Sequence, residues 1–353
     1  QVRTYPFGGL AAHLLGYVGP VTLEELRSAN ERIDIEQAGA KTYQLSDEIG
    51  KTGVERVFED VLRGVPGVRY LEVDNRGEVI GERVEFRRPP IAGADLYLTI
   101  DIDLQAVVEE ELAAGLAATR ERGARPGDPP IVASAGAAVA VDPRDGGLLA
   151  MASYPTYDPS DFVNGISFAQ FEILTSPDNF QPIVNRAIQG TYAPGSTFKV
   201  ITAFAALERG YLGPESPIEQ ARDGSIRDTG TYVYPGCRDD FEAADTCVFE
   251  SPFEGDDTYL LPRALSASSD VFFYTLGGEG FWAVPVQGPE GVEGIQDKER
   301  EFGLGAASGF EWAGDRSGVV PDGGSCGAQA AGGVFRGDGA RWWPGGSREL
   351  AVG

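Results

Sequence analysis

The stretch Gly190-Thr-Tyr-Ala-Pro-Gly-Ser-Thr-Phe-Lys199 decides how this chain is read. Pro194-Gly195 breaks whatever precedes it, and from Thr197 to Arg209 apolar residues recur at Phe198, Ile201, Ala205 and Leu207 with helical spacing. The pattern predicts a helix that opens at Ser196, with Lys199 one turn further on and facing the same way. At a helix start, unpaired backbone N–H groups and the positive end of the dipole favour negative charge developing on a serine oxygen or on a substrate oxyanion. A lysine acts as a base only as the neutral amine, a form favoured by desolvation or by neighbouring cations. Ser196 and Lys199 therefore read as nucleophile and base, which requires hydroxyl and amine within hydrogen-bonding reach inside a cleft. The bland alternative is a helix-capping serine followed by a solvated lysine.

Histidine does not offer a rival base. The chain holds one, His13, far upstream of Ser196, so a Ser-His-Asp triad would have to be completed from a distant module. A second serine-rich stretch lies downstream in Leu261-Pro-Arg-Ala-Leu-Ser-Ala-Ser-Ser-Asp-Val-Phe-Phe-Tyr-Thr-Leu276. There Ser268-Ser269-Asp270 stands between two apolar helical runs, and Ser268 or Asp270 also fits a plain cap opening Val271 to Leu276.

Taken together the two stretches resemble the penicillin-binding proteins and serine β-lactamases, in which Ser-x-x-Lys is accompanied by Ser-Asp-Asn and Lys-Thr-Gly. The resemblance implies that Ser196 is the acylated nucleophile and Lys199 its proton acceptor. It implies that Ser268 relays the proton toward the leaving amine and that Asp270 stands where asparagine is usual. Aspartate at that position is similar to the cell-elongation subgroup of class B penicillin-binding proteins. Tyr154-Pro-Thr-Tyr-Asp-Pro-Ser-Asp-Phe-Val-Asn-Gly-Ile166 and Val184-Asn-Arg-Ala-Ile-Gln-Gly190 resemble that subgroup's approach to the serine. Arg3-Thr-Tyr-Pro-Phe-Gly-Gly-Leu-Ala-Ala-His-Leu-Leu-Gly-Tyr-Val-Gly19, Gly50-Lys-Thr-Gly-Val-Glu55 and Tyr97-Leu-Thr-Ile-Asp101 resemble its non-catalytic pedestal and linker. The likeness runs over nearly the whole chain.

The resemblance implies an α+β fold: a transpeptidase domain of antiparallel sheet with helices, preceded by a mixed α/β pedestal. Residues 1–92 are expected to belong to the pedestal, or dimerisation-type, domain and residues 93–353 to the transpeptidase domain. The third motif is not found after Ser268. The only Lys-Thr-Gly, Lys51-Thr52-Gly53, precedes both other motifs inside pedestal-like sequence and reads as a decoy. Text like Trp342 to Gly353 comes shortly before the third motif in the family, so the transpeptidase domain is expected to be incomplete at its C-terminal end.

The activity implied is that of a peptidoglycan D,D-transpeptidase, forming a Ser196 acyl-enzyme from stem peptides ending in D-Ala-D-Ala during cell-wall elongation. β-Lactam antibiotics would acylate the same serine. Implied partners are a membrane glycosyltransferase and other cell-wall elongation proteins. The implied place is the extracytoplasmic face of the membrane, with any anchor before Gln1. The alternatives are a β-lactamase or D,D-carboxypeptidase, which would hydrolyse the acyl-enzyme, and a non-catalytic cell-wall scaffold.

Composition narrows the field further. With 29 Lys plus Arg against 54 Asp plus Glu, the 353-residue chain carries a net charge of −25, which disfavours a nucleic-acid partner. Zinc lacks ligands, because there is one histidine and no Cys-x-x-Cys, and no cofactor is expected. Cys237 and Cys247 flank an acidic loop and either close a short disulfide or are two separate thiols, with Cys326 left over. No apolar run reaches the roughly 18 to 20 residues of a membrane helix, Ile131 to Val141 being the longest candidate.

Along the chain, an amphipathic stretch spans Thr22 to Arg32, and strand-like runs span Val68 to Val73 and Val79 to Phe86. The break at Pro89-Pro90-Ile-Ala-Gly93 suggests a boundary. Leu96 to Ile100 is expected as a strand, followed by a helix capped by Asp101 or Asp103 with Leu104, Val107, Val108, Leu112 and Leu116 on its buried face. Ala137 to Val141 and Leu148 to Ser153 are expected as a hairpin about Asp142 to Gly147. Gly323 to Gly346 reads as loop. A phosphate-binding loop is excluded at Gly190 to Thr197, because Ser196 stands where the P-loop lysine belongs, and at Leu45 to Thr52, because leucine stands where its first glycine belongs.

Overall fold

A computed structural model describes residues 3–31, 43–122, 131–163, 165–233, 248–251, 256–282, 294–309, 315–318 and 320. The chain divides into two compact units, Gln1–Gly190 with Gly309–Asp315 and Thr191–Ser308 with Arg316–Gly353. Cys237 and Cys247, Cys326 and the glycine-rich tail lie outside the described residues.

The first unit begins with α1 (Ala12–Leu15), β1 (Val18–Pro20) and α2 (Leu23–Glu31), then β2 (Glu48–Gly50), α3 (Gly53–Val57), α4 (Glu59–Leu62), β3 (Leu71–Val73) and β4 (Val79–Glu82). Helix α2 starts where the amphipathic pattern starts. Thr22 Oγ1 accepts from Glu25 N at 3.2 Å while Glu25 Oε2 accepts from Thr22 N at 2.9 Å, a reciprocal capping box. The run Val79 to Phe86 divides into β4 and a short 3-10 turn over Val84–Phe86. The Pro89-Pro90 segment lies within this unit and is tied back by bridges pairing Val65 with Ile91 and Val68 with Arg88.

Helix α5 (Ile102–Arg122) and the hairpin of β5 (Gly136–Val141) and β6 (Leu148–Tyr154) follow as expected. Asp101 is the cap, its Oδ1 accepting from Asp103 N and Leu104 N, each at 3.0 Å. The strand expected over Leu96 to Ile100 does not form. Thr99 Oγ1 donates to Leu148 O at 2.6 Å and Asp101 N to Leu149 O at 3.0 Å, so a hydroxyl takes a β6 carbonyl that a ladder N–H would otherwise use. Val107 is also misplaced by the helical pattern and is exposed. The fully buried residue of α5 is instead Gln105, whose Nε2 donates to Met151 O at 2.7 Å and whose Oε1 accepts from Met151 N at 2.8 Å. A side-chain amide thus takes the place of a strand neighbour beside β6. Helices α6 (Phe168–Thr175) and α7 (Arg186–Gln189) complete the unit.

The second unit holds α8 (Lys199–Glu208), β7 (Ser225–Asp228), β8 (Thr231–Val233), β9 (Val248–Glu250), β10 (Asp257–Leu260), α9 (Leu261–Ala267), α10 (Asp270–Thr275) and α11 (Gly294–Glu301), with α8 packed against α9, α10 and α11. Its core gathers Phe198, Ile201 and Ala205 from the Ser196 segment with Phe272, Phe273 and Leu276 from the second serine-rich stretch. Each of the two phenylalanines is fully buried and contributes about 1.5–3 kcal/mol, so packing joins the two motif-bearing segments. Leu207, expected inside, is exposed at the end of α8.

Every strand pair among the described residues is antiparallel: β1 with β2, β3 with β4, β5 with β6, β7 with β10, and β8 with β9. Helices packed against antiparallel strands make the fold α+β.

Candidate active site

Ser196 lies in a 3-10 turn, Gly195–Phe198, that leads directly into α8. The turn begins at Pro194 and Gly195, whose φ of +57° is open to glycine without steric cost. Lys199 N donates to Ser196 O across the turn. Positions three apart eclipse one another in a 3-10 turn, so Ser196 and Lys199 project to one side. The backbone relation expected of Ser-x-x-Lys is therefore present. The side-chain contact is not: the Ser196 side chain is exposed and makes no hydrogen bond among the described residues, including none to Lys199.

Lys199 is 2% exposed, which overturns the solvated-lysine alternative. Its ammonium donates to Ser268 O at 2.7 Å, to Ser268 Oγ at 3.0 Å and to Asp270 Oδ1 at 2.5 Å. An ammonium has three N–H donors, and three acceptors surround this one. Burying that charge without them would cost several kcal/mol, and the Asp270 carboxylate, itself 13% exposed, supplies the opposite charge. The Phe273 ring lies 5.7 Å from Nζ and closes an apolar wall.

Both oxygens of Ser268 reach one lysine because of an unusual backbone. Helix α9 ends at Ser268, whose φ of 53° and ψ of 42° are left-handed, the conformation that usually falls to glycine after a helix. Ser268 N donates to Leu265 O at 3.1 Å and Ser269 N to Ala264 O at 3.0 Å, which satisfies the last carbonyls of α9. Helix α10 then starts at once. Its cap is Ser269, not Ser268 or Asp270: Ser269 Oγ accepts from Phe272 N at 3.1 Å. Ser268 is thereby freed of capping duty and faces Lys199.

The capping role of Ser269 and its tie to Asp228 are not singled out by the sequence. Ser269 Oγ also donates to Asp228 Oδ2 at 2.5 Å, and the two are 2% and 6% exposed. Asp228 ends β7, and its Oδ1 accepts from Gly230 N at 2.9 Å. The spacing of Ser269 and Phe272 signals a cap, but no local pattern joins Asp228 to a serine 41 positions on.

The other candidates sort cleanly. His13 is buried in the first unit, its Nε2 donating to Pro182 O at 2.7 Å, and burial pushes its pKa down to about 4. Lys51 pairs with Glu25 at 2.5 Å, and Gly53, at φ +58°, runs so close to α1 that a Cβ would lie 2.5 Å from Leu14 O. Lys51-Thr52-Gly53 is thus part of the first unit's packing. No group of three or more metal-ligating side chains occurs among the described residues.

Comparison with known proteins bears on this geometry. Residues 1–98 match the penicillin-binding protein dimerisation domain and residues 136–234 the penicillin-binding protein transpeptidase domain. The peptidoglycan D,D-transpeptidase MrdA of Escherichia coli K12 is 33% identical over 319 residues, covering 90% of this chain and 42% of MrdA. A solved peptidoglycan synthase complex, described as coordinating polymerization and crosslinking, contains a chain that superposes with a TM-score of 0.70 at 27% identity, over 96% of this chain and 50% of the other. The penicillin-binding protein PBP2 of Helicobacter pylori, solved with MreC, superposes with a TM-score of 0.62 at 25% identity, over 91% of this chain and 49% of the other. The chain thus spans less than half the length of the curated relative it matches.

Proposed function

The chain belongs to the penicillin-binding protein family, and from that premise we propose that it carries the acyl-transfer centre of a peptidoglycan D,D-transpeptidase, with Ser196 as nucleophile. The observation that carries the reading is the convergence of Lys199, Ser268 and Asp270 one turn beyond Ser196.

Ser196 Oγ attacks the carbonyl of the D-Ala-D-Ala bond of a stem peptide. The Ser196 hydroxyl, which is not hydrogen-bonded to Lys199 in this structure, must first turn to Nζ; its proton then passes there, and the C–N bond breaks as the leaving amine takes a proton through Ser268 Oγ, leaving an ester on Ser196 and free D-Ala. For Nζ to accept, it must first give up one proton, and Asp270 Oδ1 is the nearest group placed to hold it. The amine of a second stem peptide then attacks the ester and returns Ser196 to its starting form. β-Lactams, whose ring carbonyl offers the same electrophile, acylate Ser196 in the substrate's place.

Residues 1–92 act as the pedestal and residues 93–353 belong to the transpeptidase domain. The whole protein works at the extracytoplasmic face of the membrane beside a glycosyltransferase and other elongation proteins. No helix among the described residues is long and apolar enough to cross a membrane.

The test is product analysis with the intact protein and stem peptides ending in D-Ala-D-Ala. Crosslinked dimers and released D-Ala that vanish in Ser196→Ala support the transpeptidase. Hydrolysis without dimers supports a carboxypeptidase. Rod-shape complementation by Ser196→Ala would leave only a scaffold.

A further inference from the structure

We infer that Asp228 is a positioning residue for the acylation centre, holding Ser269 so that Ser268 stays in the backbone conformation that aims both its oxygens at Lys199. This rests on the acyl-enzyme reading of Ser196.

The constraint lies at the joint between α9 and α10. Ser268 is a single left-handed residue between two right-handed helices, a conformation that costs a non-glycine residue free energy and persists only when its surroundings fix it. On its N-terminal side the fixing is done by β10, which pairs with β7 and runs straight into α9 at Leu261. On its C-terminal side it is done by Ser269. Two of the bonds on Ser269, from its own N–H to Ala264 O and to its Oγ from Phe272 N, are what any such helix junction supplies.

The third is different. A capping serine needs only to accept, and its hydroxyl proton ordinarily goes to water. Ser269 is buried, and its proton goes to the Asp228 carboxylate, a hydrogen bond to a charged acceptor. Gly230 N holds the other carboxylate oxygen and so fixes the plane of the acid. Asp228 lies opposite Asp257 in the same β7–β10 pair that leads into α9. The circuit β7, β10, α9, Ser268, Ser269 and back to Asp228 is therefore closed, with Ser268 its one left-handed joint. Opening it at Asp228 frees the C-terminal side of that joint, and a small change in Ser268 φ or ψ turns its carbonyl and hydroxyl away from Nζ. A carboxylate buried 41 positions upstream of the motif thus acts on acylation through Ser269 and Ser268, without itself touching substrate.

The experiment compares the intact protein with Asp228→Ala, Asp228→Asn, Ser269→Ala, Ser269→Thr and the double variant Asp228→Ala/Ser269→Ala. A fluorescent penicillin reports both the fraction of sites labelled and the first-order acylation rate constant per labelled site. Asp228→Ala and Ser269→Ala are expected to lower the rate constant at least tenfold while the concentration giving half-maximal rate changes less than twofold. The double variant should lose no more than either single, and Ser269→Thr should stay within threefold of the original. A purely structural Asp228 would lower the melting temperature and the labelled fraction but leave the rate constant per site unchanged, which would overturn the inference. Should Asp228→Ala fail to fold, Asp228→Asn, which keeps one acceptor oxygen and loses the charge, decides: a rate constant within twofold of the original overturns the inference, and a larger loss supports it. If the unaltered protein is not labelled on Ser196, the acyl-enzyme reading fails and takes this inference with it, whereas labelled protein with indifferent Asp228 variants refutes the inference alone.

Discussion

Replacing Ser268 by glycine should leave the protein more stable than replacing it by alanine, reversing the order expected inside a helix. Both substitutions remove the hydroxyl that accepts from Lys199 at 3.0 Å, and both keep the carbonyl that accepts at 2.7 Å, so those losses cancel in the comparison. What differs is the backbone. At φ 53° and ψ 42°, alanine keeps a strain of about 1–2 kcal/mol that glycine does not have. Glycine gives back about 0.4–1 kcal/mol through the greater freedom of its unfolded chain. The difference leaves glycine ahead by about 0.8 kcal/mol. With a denaturant slope near 2 kcal/mol/M, the urea midpoint of Ser268→Gly should lie about 0.4 M above that of Ser268→Ala. Alanine equal to or above glycine would refute the claim that Ser268 is held under strain at a joint between helices. Both variants should acylate slowly, since neither can relay a proton.

The remaining predictions concern other buried groups. Asp270→Ala leaves a lysine 2% exposed with two neutral acceptors in place of a carboxylate and should cost about 3 kcal/mol, read as a lower urea midpoint. Gln105→Ala strips both the N–H and the C=O of Met151 of their partners and should cost about 3 kcal/mol by the same assay, with acylation by penicillin intact in the fraction that folds. His13 is held neutral by burial, its pKa pushed down to about 4 against 6.5 in the unfolded chain. The unfolded state therefore binds the extra proton first, so stability is complete above pH 6.5 and falls as the pH drops toward 4. His13 should account for a loss of about 2 kcal/mol between pH 7 and pH 5, absent in His13→Gln and measured by urea titration at the two pH values.

Much of the site was legible because its signals are local. A proline-glycine break followed by helical spacing located the turn carrying Ser196 and Lys199. The apolar run Val271 to Leu276 placed the second motif on a buried helix, which brings Ser268 and Asp270 to Lys199 when Phe272 and Phe273 enter the same core as Phe198. What stayed hidden arises from choices among near-equal local options. Either Ser268, Ser269 or Asp270 can cap a helix, and the left-handed turn at Ser268 passes that duty to Ser269. Gln105 reads as a polar position on an amphipathic helix, and only the neighbouring strand edge makes it the most buried residue there. Leu96 to Ile100 has strand composition, but a threonine hydroxyl occupies the carbonyl that a ladder would need. Asp228 depends on a long-range closure that no local spacing encodes.

The proposed function requires that Ser196 become the acyl group's attachment point, served by the buried Lys199 cluster. Digestion and mass spectrometry after exposure to penicillin locate that attachment. One adduct is expected on the peptide containing Ser196, lost in Ser196→Ala and formed far more slowly in Lys199→Met. An adduct on another serine, or one that survives Ser196→Ala, would contradict it.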